Sequence, residues 1–215
     1  MVKLYLTSTE QINDHTAEAL LPLLSDDRIR RISRIEDKEA RLRSIAAGLL
    51  LLYARLCAGL PHQAAVSYSD QGKPYFPDHP GFHFNLSHSG SWAACAVGGE
   101  EVGADIQKIV SVSESVRKRC LTPSELNWLE SLTEKDRAAG FCRVWSLKEA
   151  LLKAEGKGLR LWPGDIQVLD GQGRISISDH VFREFAIPGY AAAVCSRREY
   201  IEEQPQIVDL QDLLR

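Results

Sequence analysis

The stretch WSLKEALLK, residues 145–153, decides how the second half of this chain folds. At about 100° per residue, the apolar side chains around it form one arc of a helix over residues 141–155. The Gly-Lys-Gly sequence at 156–158 is a helix stop signal. Lys148 falls inside the apolar arc, and a buried ammonium group needs a partner. We therefore expect Lys148 to lie near an anion or a carboxylate.

Glu149 and Lys153 lie at the edge of the same arc. Four residues apart on a helix, they can form a surface ion pair worth about 0.2–0.5 kcal/mol. They can equally face a ligand. The helix alone leaves both alternatives open, so the rest of the chain has to decide between them.

The composition is that of a globular protein. The chain has 215 residues, 44% hydrophobic and 26% charged, with a formal net charge of −3. This length suits one large domain or two small halves. A net negative charge does not favour general nucleic-acid binding. No apolar run reaches the length of a membrane span. The start lacks a signal peptide, and the five scattered cysteines fit free thiols rather than a zinc site. We expect a cytoplasmic protein with no membrane partner.

Apolar periodicity predicts an α+β fold. A helical pattern covers residues 26–56, and Thr122 to Glu125 has the form of a helix start. The predicted strands are residues 2–8, 64–69, 82–88, 92–99, 102–109, 165–170, 173–179, 181–187 and 190–196.

An internal echo indicates two similar halves. WAACAV at 92–97 and YAAAVC at 190–195 each follow a turn after an apolar strand. We expect halves of about 100 residues each, residues 1–101 and 102–215, packed closely together. The tail from residue 202 is expected to be peripheral.

Asp105, in the strand VGADIQKI, is a candidate metal ligand. Alone it would be a turn or cap residue, but near Glu149 it would complete a two-carboxylate site. Mg²⁺ typically takes one or two carboxylates and fills its other positions with waters and phosphate oxygens.

The segment NLSHSG at 85–90 is a candidate phosphate site. Ser87 and His88 are adjacent on a strand and point to opposite faces, so a nucleophile–base pair is not expected. A strand end followed by Ser-Gly-Ser suits phosphate oxygens; the alternative is a hairpin with a structural histidine. The basic run over residues 28–43 adds guanidinium groups that suit a phosphate monoester, although most of them belong to a solvated helix face.

Four motifs stand in order along the chain: GKPYF (72–76), FNLSHSG (84–90), VGADIQ (102–107) and WSLKEALLK followed by GKGL (156–159). In residue type and spacing they resemble the Sfp-type 4′-phosphopantetheinyl transferases. The resemblance implies an enzyme that transfers the phosphopantetheine arm of coenzyme A to a serine of an apo acyl or peptidyl carrier protein and releases 3′,5′-ADP. It also implies a monomer of two similar α+β halves with pseudo-twofold symmetry, binding coenzyme A and Mg²⁺ (or Mn²⁺) between them.

The same resemblance implies roles for individual residues. Asp105 and Glu149 would bind the metal, and Glu149 would also be the base for the carrier serine. Lys153 would contact the diphosphate. The other coenzyme A contacts would be Ser87 and His88 at its phosphates, Lys73 and Pro74 by its adenine nucleotide, and Arg28, Arg31 and Arg43 around its 3′-phosphate.

One position departs from the family pattern. Many bacterial members have D-x-E where this chain has Asp105-Ile106-Gln107. Gln107 would bind the metal through its carbonyl or hold a metal-bound water. Two other classes of protein stay open. One is another Mg²⁺-dependent phosphotransferase or nucleotide hydrolase, although the chain has no P-loop motif. The other is a non-enzymatic module that binds coenzyme A or a nucleotide, which has no need of two carboxylates.

Overall fold

The structure, a computed structural model, describes residues 1–62, 64–156 and 161–211. The helices are α1 (Asp14–Leu20), α2 (Asp26–Ile32), α3 (Lys38–Cys57), α4 (Glu114–Cys120), α5 (Pro123–Ser131) and α6 (Glu134–Ala154). The strands are β1 (Lys3–Ser8), β2 (Ser67–Tyr68), β3 (Pro74–Tyr75), β4 (His83–Ser89), β5 (Trp92–Gly98), β6 (Val102–Lys108), β7 (Val181–Ile187), β8 (Tyr190–Ser196) and β9 (Gln206–Ile207). The predicted α+β class is confirmed.

Two sheets that share the same arrangement of three strands form the frame of the molecule. The first has the order β4-β5-β1-β9, and the second, read from its far edge, has the order β7-β8-β6. In the first sheet, β4 and β5 form a hairpin, and β5 also pairs antiparallel with β1. In the second sheet, β7 and β8 form a hairpin, and β8 also pairs antiparallel with β6. The two echoing sequences are therefore equivalent strands, β5 and β8.

A long helix packs on each sheet, α3 on the first and α6 on the second. Gly103 allows α6 to lie directly on β6, because a Cβ atom there would be 2.0 Å from the carbonyl oxygen of Ala150. Apolar side chains of both sheets, among them Leu6 and Ile106, form a further shared core. This packing places the face of α6 beside Asp105.

Side chains of β4 join the two sheets. The side-chain oxygens of Asn85, Ser87 and Ser89 accept hydrogen bonds from the backbone N–H groups of Ala104 (3.0 Å), Ile106 (3.3 Å) and Lys108 (3.0 Å), respectively. Because alternate residues of both strands advance together, β4 and β6 run parallel. We call this row of three hydrogen bonds the side-chain ladder.

The C-terminal segment returns to the first half. β9 pairs parallel with β1, Val208 and Leu210 are buried, and the Gln206 amide donates to the hydroxyl of Tyr53 (2.9 Å). The ring of Tyr53 lies edge-on to that of Tyr5, with centroids 5.6 Å apart. The tail is thus an exposed edge strand of the first sheet, as a peripheral position predicts, but Val208 and Leu210 attach it to the core. Residues 212–215 lie outside the described part.

Several predicted boundaries change. The pattern over 26–56 is two helices, because Asp37 caps the start of α3 by accepting from the backbone of Ala40 (2.6 Å). The strand expected at 64–69 is reduced to β2, and the helix expected over 141–155 begins earlier, at Glu134. Gly156 follows α6 with a φ of +64°, as a helix stop requires; residues 157–159 lie outside the described ranges.

The strands predicted at 165–170 and 173–179 are wrong. Only an isolated bridge, Leu169 to Ile175, forms there. The backbone N–H groups of Val168 and Leu169 instead donate to the carboxylate of Glu125 (2.8 and 3.3 Å). The buried Glu125 side chain on α5 thus supplies the hydrogen-bond acceptor that a neighbouring strand would otherwise supply.

Glu125 is also the partner that Lys148 requires. Both side chains are fully buried, and the Lys148 ammonium lies 2.6 Å from Glu125 Oε2. The ammonium also donates to the carbonyls of Cys120 and Pro163, each at 2.7 Å. Burial lowers the pKa of Lys148, and the hydrogen bond to Glu125 opposes this shift. The pair therefore joins α6 to α5 and to the segment after residue 160.

Lys148→Met should destabilise the protein by about 3–5 kcal/mol, because it leaves the buried Glu125 carboxylate without its cation. Urea unfolding followed by circular dichroism measures the loss. The matched control is Glu134→Ala on the same helix, which breaks only the exposed pair with Arg137 and should cost under about 1 kcal/mol. A loss of that small size for Lys148→Met would show that the buried pair does not stabilise the fold.

Candidate functional site

A cavity of about 460 Å³ lies where β4, β6 and α6 meet. The first half contributes Arg28, Leu86, Ser87 and His88 to its wall, and the second half contributes Asp105, Gln107, Trp145, Glu149 and Lys153. The last three are spaced four residues apart on α6, which places them on one helix face. The cavity therefore contains Asp105 and Glu149 together, as the motifs predicted.

Asp105 is the centre of the polar contacts in this cavity. Its side chain is buried, and Oδ1 accepts from the Ser87 hydroxyl (2.8 Å) and the Lys153 ammonium (2.7 Å). Lys153 also donates to the carbonyl of Ala104 (3.1 Å). Lys153 thus forms its ion pair with Asp105 on the neighbouring strand, and its position on α6 brings a cation to the strand that carries the carboxylate.

Glu149 is the second carboxylate of the cavity. Burial raises the pKa of Glu149, Lys153 acts to lower it, and the charge of Asp105 acts to raise it. Glu149 thus lies, partly buried, beside a second carboxylate, which is a setting in which a bound cation is favourable.

The donor set fits a hard divalent cation such as Mg²⁺, which accepts two carboxylates and completes its coordination with other oxygens. Within the described ranges no cluster of three or more His, Cys, Asp or Glu residues could hold a metal.

Gln107 lies in the same cavity and contacts Asp105. Its side-chain Nε2 donates to Asp105 Oδ2 at 2.9 Å. In this orientation the amide holds the carboxylate, which is the kind of contact that orients a metal ligand from behind.

Ser87 and His88 lie on opposite faces of β4, as expected. Ser87 is buried; its hydroxyl donates to Asp105 and accepts from the backbone N–H of Ile106. His88 is exposed at the cavity rim. Desolvation lowers the pKa of His88, and the nearby cations Arg28, Arg43 and Lys153 add to this effect.

The three predicted arginines occupy different positions. Arg28 lines both this cavity and a neighbouring one of about 260 Å³, and donates to the carbonyl of Ser44 (2.8 Å). Arg31 lines the neighbouring cavity only, with its guanidinium 4.2 Å from the ring centroid of Tyr68. Arg43 donates to the carbonyl of Gly90 (3.3 Å), next to the cavity wall.

Lys73 and Pro74 are adjacent, but only Pro74 lies at the neighbouring cavity. The Lys73 ammonium contacts the Glu101 carboxylate and the carbonyls of Val102 and Ala154, each carbonyl at 3.3 Å. Lys73 therefore joins the two halves in this structure.

Sequence reasoning missed one residue that lines the cavity and one contact beside it. Trp145, in the apolar arc of the helix, lines the cavity four residues before Glu149; helical spacing was the available signal. Tyr190 contacts the turn after β4 from the second half, and no local pattern marks such a long-range contact.

The fold and the site together define a two-half α+β protein with a carboxylate pair and cations in a cleft lined by both halves. The sequence model of one family, the 4′-phosphopantetheinyl transferase superfamily, matches residues 101–195. The 4′-phosphopantetheinyl transferase Sfp of Bacillus subtilis is 30% identical over 92% of this chain and 92% of its own length. The 4′-phosphopantetheinyl transferase HetI of a Nostoc species is 37% identical over 65% of this chain and 62% of its own.

A solved structure, the holo-[acyl-carrier-protein] synthase of Thermotoga maritima, is 24% identical and covers 46% of this chain and 64% of its own, with a TM-score of 0.38 that is too low to define the fold. The Sfp match extends over nearly the whole of both chains. This chain belongs to the 4′-phosphopantetheinyl transferase family.

Ser87→Ala should destabilise the protein by about 1–3 kcal/mol, because the buried N–H of Ile106 loses its acceptor and Asp105 loses a donor. Ser89→Ala is the matched control within the ladder, because its hydrogen bond to Lys108 lies at the exposed end. Thermal unfolding of both variants gives the comparison. Equal losses in the two variants would contradict the special place of Ser87.

Proposed function

We propose that this protein transfers the 4′-phosphopantetheine group of coenzyme A to a serine of an apo acyl or peptidyl carrier protein. The observation that carries the proposal is the grouping of Asp105, Glu149 and Lys153 on one side of a cleft that both halves line. Membership of the transferase family supports the same reaction.

Asp105 and Glu149 would hold Mg²⁺, with Gln107 orienting Asp105 through its amide. When bound, the ion supplies charge neutralisation on the diphosphate. Lys153 binds a diphosphate oxygen and stabilises the charge on the leaving 3′,5′-ADP. In the free protein its ammonium contacts Asp105 (2.7 Å), so a short movement from the carboxylate to the ligand is enough.

Glu149 takes the proton of the carrier serine. In the absence of the ion, burial raises the pKa of its carboxyl group, and a carboxylate positioned beside the serine can act as a general base. The serine oxygen forms its bond to phosphorus while the bond from phosphorus to the 3′,5′-ADP oxygen breaks. The proton ends on Glu149 and the electron pair on the leaving phosphate.

The nucleotide part of coenzyme A would occupy the neighbouring cavity. Arg28 lines both cavities, which suits a ligand that extends from one to the other. Ser87 and His88 face the phosphates, Arg31 and Arg43 the 3′-phosphate, and Pro74 with Lys73 the adenine end.

We also propose that the working unit is a monomer of two halves, residues 1–101 and 102–215, with the tail strand attached to the first. The free state of all five cysteines supports a reducing, cytoplasmic location. No helix in the described part of the chain is long and apolar enough to cross a membrane.

One assay tests the proposal. The protein is mixed with coenzyme A, Mg²⁺ and an apo carrier protein, and the carrier is weighed by mass spectrometry. A gain of one phosphopantetheine group supports the transferase. Binding of coenzyme A without this gain indicates a binding module, and nucleotide breakdown without a carrier indicates a hydrolase.

Asp105→Ala and Glu149→Ala should each lower the transfer rate by at least about a hundredfold, with the fold intact by circular dichroism. Glu134→Ala, some fifteen residues earlier on α6 and exposed, is the control and should retain normal activity. Near-normal transfer by either cavity variant would refute the carboxylate assignment.

Gln107→Glu should strengthen metal binding by about tenfold, because it adds a third carboxylate near the ion. Direct Mn²⁺ binding measured by electron paramagnetic resonance gives the affinity independently of activity. Gln204→Glu, on the exposed C-terminal segment, is the matched control. An unchanged Mn²⁺ affinity in Gln107→Glu would place this residue outside the metal's surroundings.

A further inference from the structure

Tyr190 makes a contact between the two halves that the proposed mechanism does not use. It is the first residue of β8, in the second half, and its hydroxyl reaches the turn between β4 and β5 in the first half. The backbone N–H of Ser91 donates to the Tyr190 oxygen at 2.9 Å, and the Ser91 hydroxyl lies 3.2 Å from it. The two residues are 99 positions apart in the chain.

The turn is shaped to receive this ring. Gly90 has a φ of +55°, a conformation that favours glycine, and an added Cβ would lie 2.2 Å from the Tyr190 oxygen. The carbonyl of Gly90 accepts from Arg43 (3.3 Å), and the hydroxyl of Ser89 accepts from the backbone of Lys108 (3.0 Å). The turn over residues 89–91 is therefore held from α3, from β6 and from β8.

Tyr190 belongs to the strand pair that carries the carboxylate. It stands opposite Lys108 in the pairing of β6 with β8, three residues along β6 from Asp105. The turn that it contacts directly follows Ser87 and His88, which line the cavity. The Tyr190 side chain thus connects the end of β4 that would face the phosphates to the strand pair that bears Asp105.

We infer that Tyr190 is a positioning residue for coenzyme A: its hydroxyl fixes the turn after His88 so that the end of β4 meets the phosphates in one arrangement. Tyr190 does not itself line the cavity that contains Asp105, so it acts on binding and not on the transfer step. The inference rests on the proposed function in taking coenzyme A as the ligand.

Tyr190→Phe removes the hydroxyl and keeps the ring. It should weaken coenzyme A binding, measured by calorimetry without a carrier, by about two- to tenfold, the effect of one hydrogen bond. The KM for coenzyme A should rise by the same factor, and kcat should stay within about twofold of the unmodified protein. Tyr200→Phe, on an exposed tyrosine, is the control and should change none of these quantities.

Gly90→Ala disturbs the same contact from the other side and should weaken coenzyme A binding more than Tyr190→Phe does. Melting temperatures of both variants show whether the fold persists. Unchanged Kd and KM in Tyr190→Phe would overturn the inference, and so would a loss of kcat with an unchanged Kd.

The same experiment separates the two proposals. A wild-type protein that binds coenzyme A but does not modify the carrier refutes the proposed function, while the comparison of Kd values still decides the role of Tyr190. A wild-type protein that does not bind coenzyme A refutes both.

Discussion

The side-chain ladder between β4 and β6 is the interaction on which the site depends. Two neighbouring strand edges would normally pair through their backbones, but here Asn85, Ser87 and Ser89 use side-chain oxygens to accept from the N–H groups of β6. The middle member, Ser87, also donates to Asp105. Through Ser87, one of the hydrogen bonds between the two sheets is thus continuous with a hydrogen bond to the buried carboxylate. A change at Ser87 therefore alters the junction and the site together.

Side chains on different faces of helix α6 contact different parts of the protein: one face contacts the core and another lines the cavity. Lys148 points into the protein and satisfies Glu125 and two carbonyls. Glu149, one position later, points to the cavity, with Trp145 and Lys153 one turn before and after it. Because 3.6 residues make a turn, adjacent side chains point about 100° apart, so Lys148 and Glu149 can lie in two different environments. The same short stretch therefore stabilises the helix and equips the cleft.

The sequence predicted those features that depend on local periodicity. Helix spacing placed Glu149 and Lys153 on one face and Lys148 inside, and strand alternation separated Ser87 from His88. It did not predict contacts that join distant segments. The strand-like pattern at 165–170 gave way to the carboxylate of Glu125, the C-terminal tail paired with β1, and Tyr190 reached a turn 99 residues earlier. In each case the partner is distant in sequence, and periodicity carries no information about it.

The two similar sheets differ in the side chains that stand at one equivalent position. In register with the equivalent strands β5 and β8, Tyr5 of the first half holds the position that Asp105 holds in the second. There Tyr5 packs against Tyr53, and β9 lies beside β1 much as β4 lies beside β6. The first half thus carries two aromatic rings where the second half carries a carboxylate at the wall of a cleft. The two similar sheets therefore differ in charge at equivalent positions.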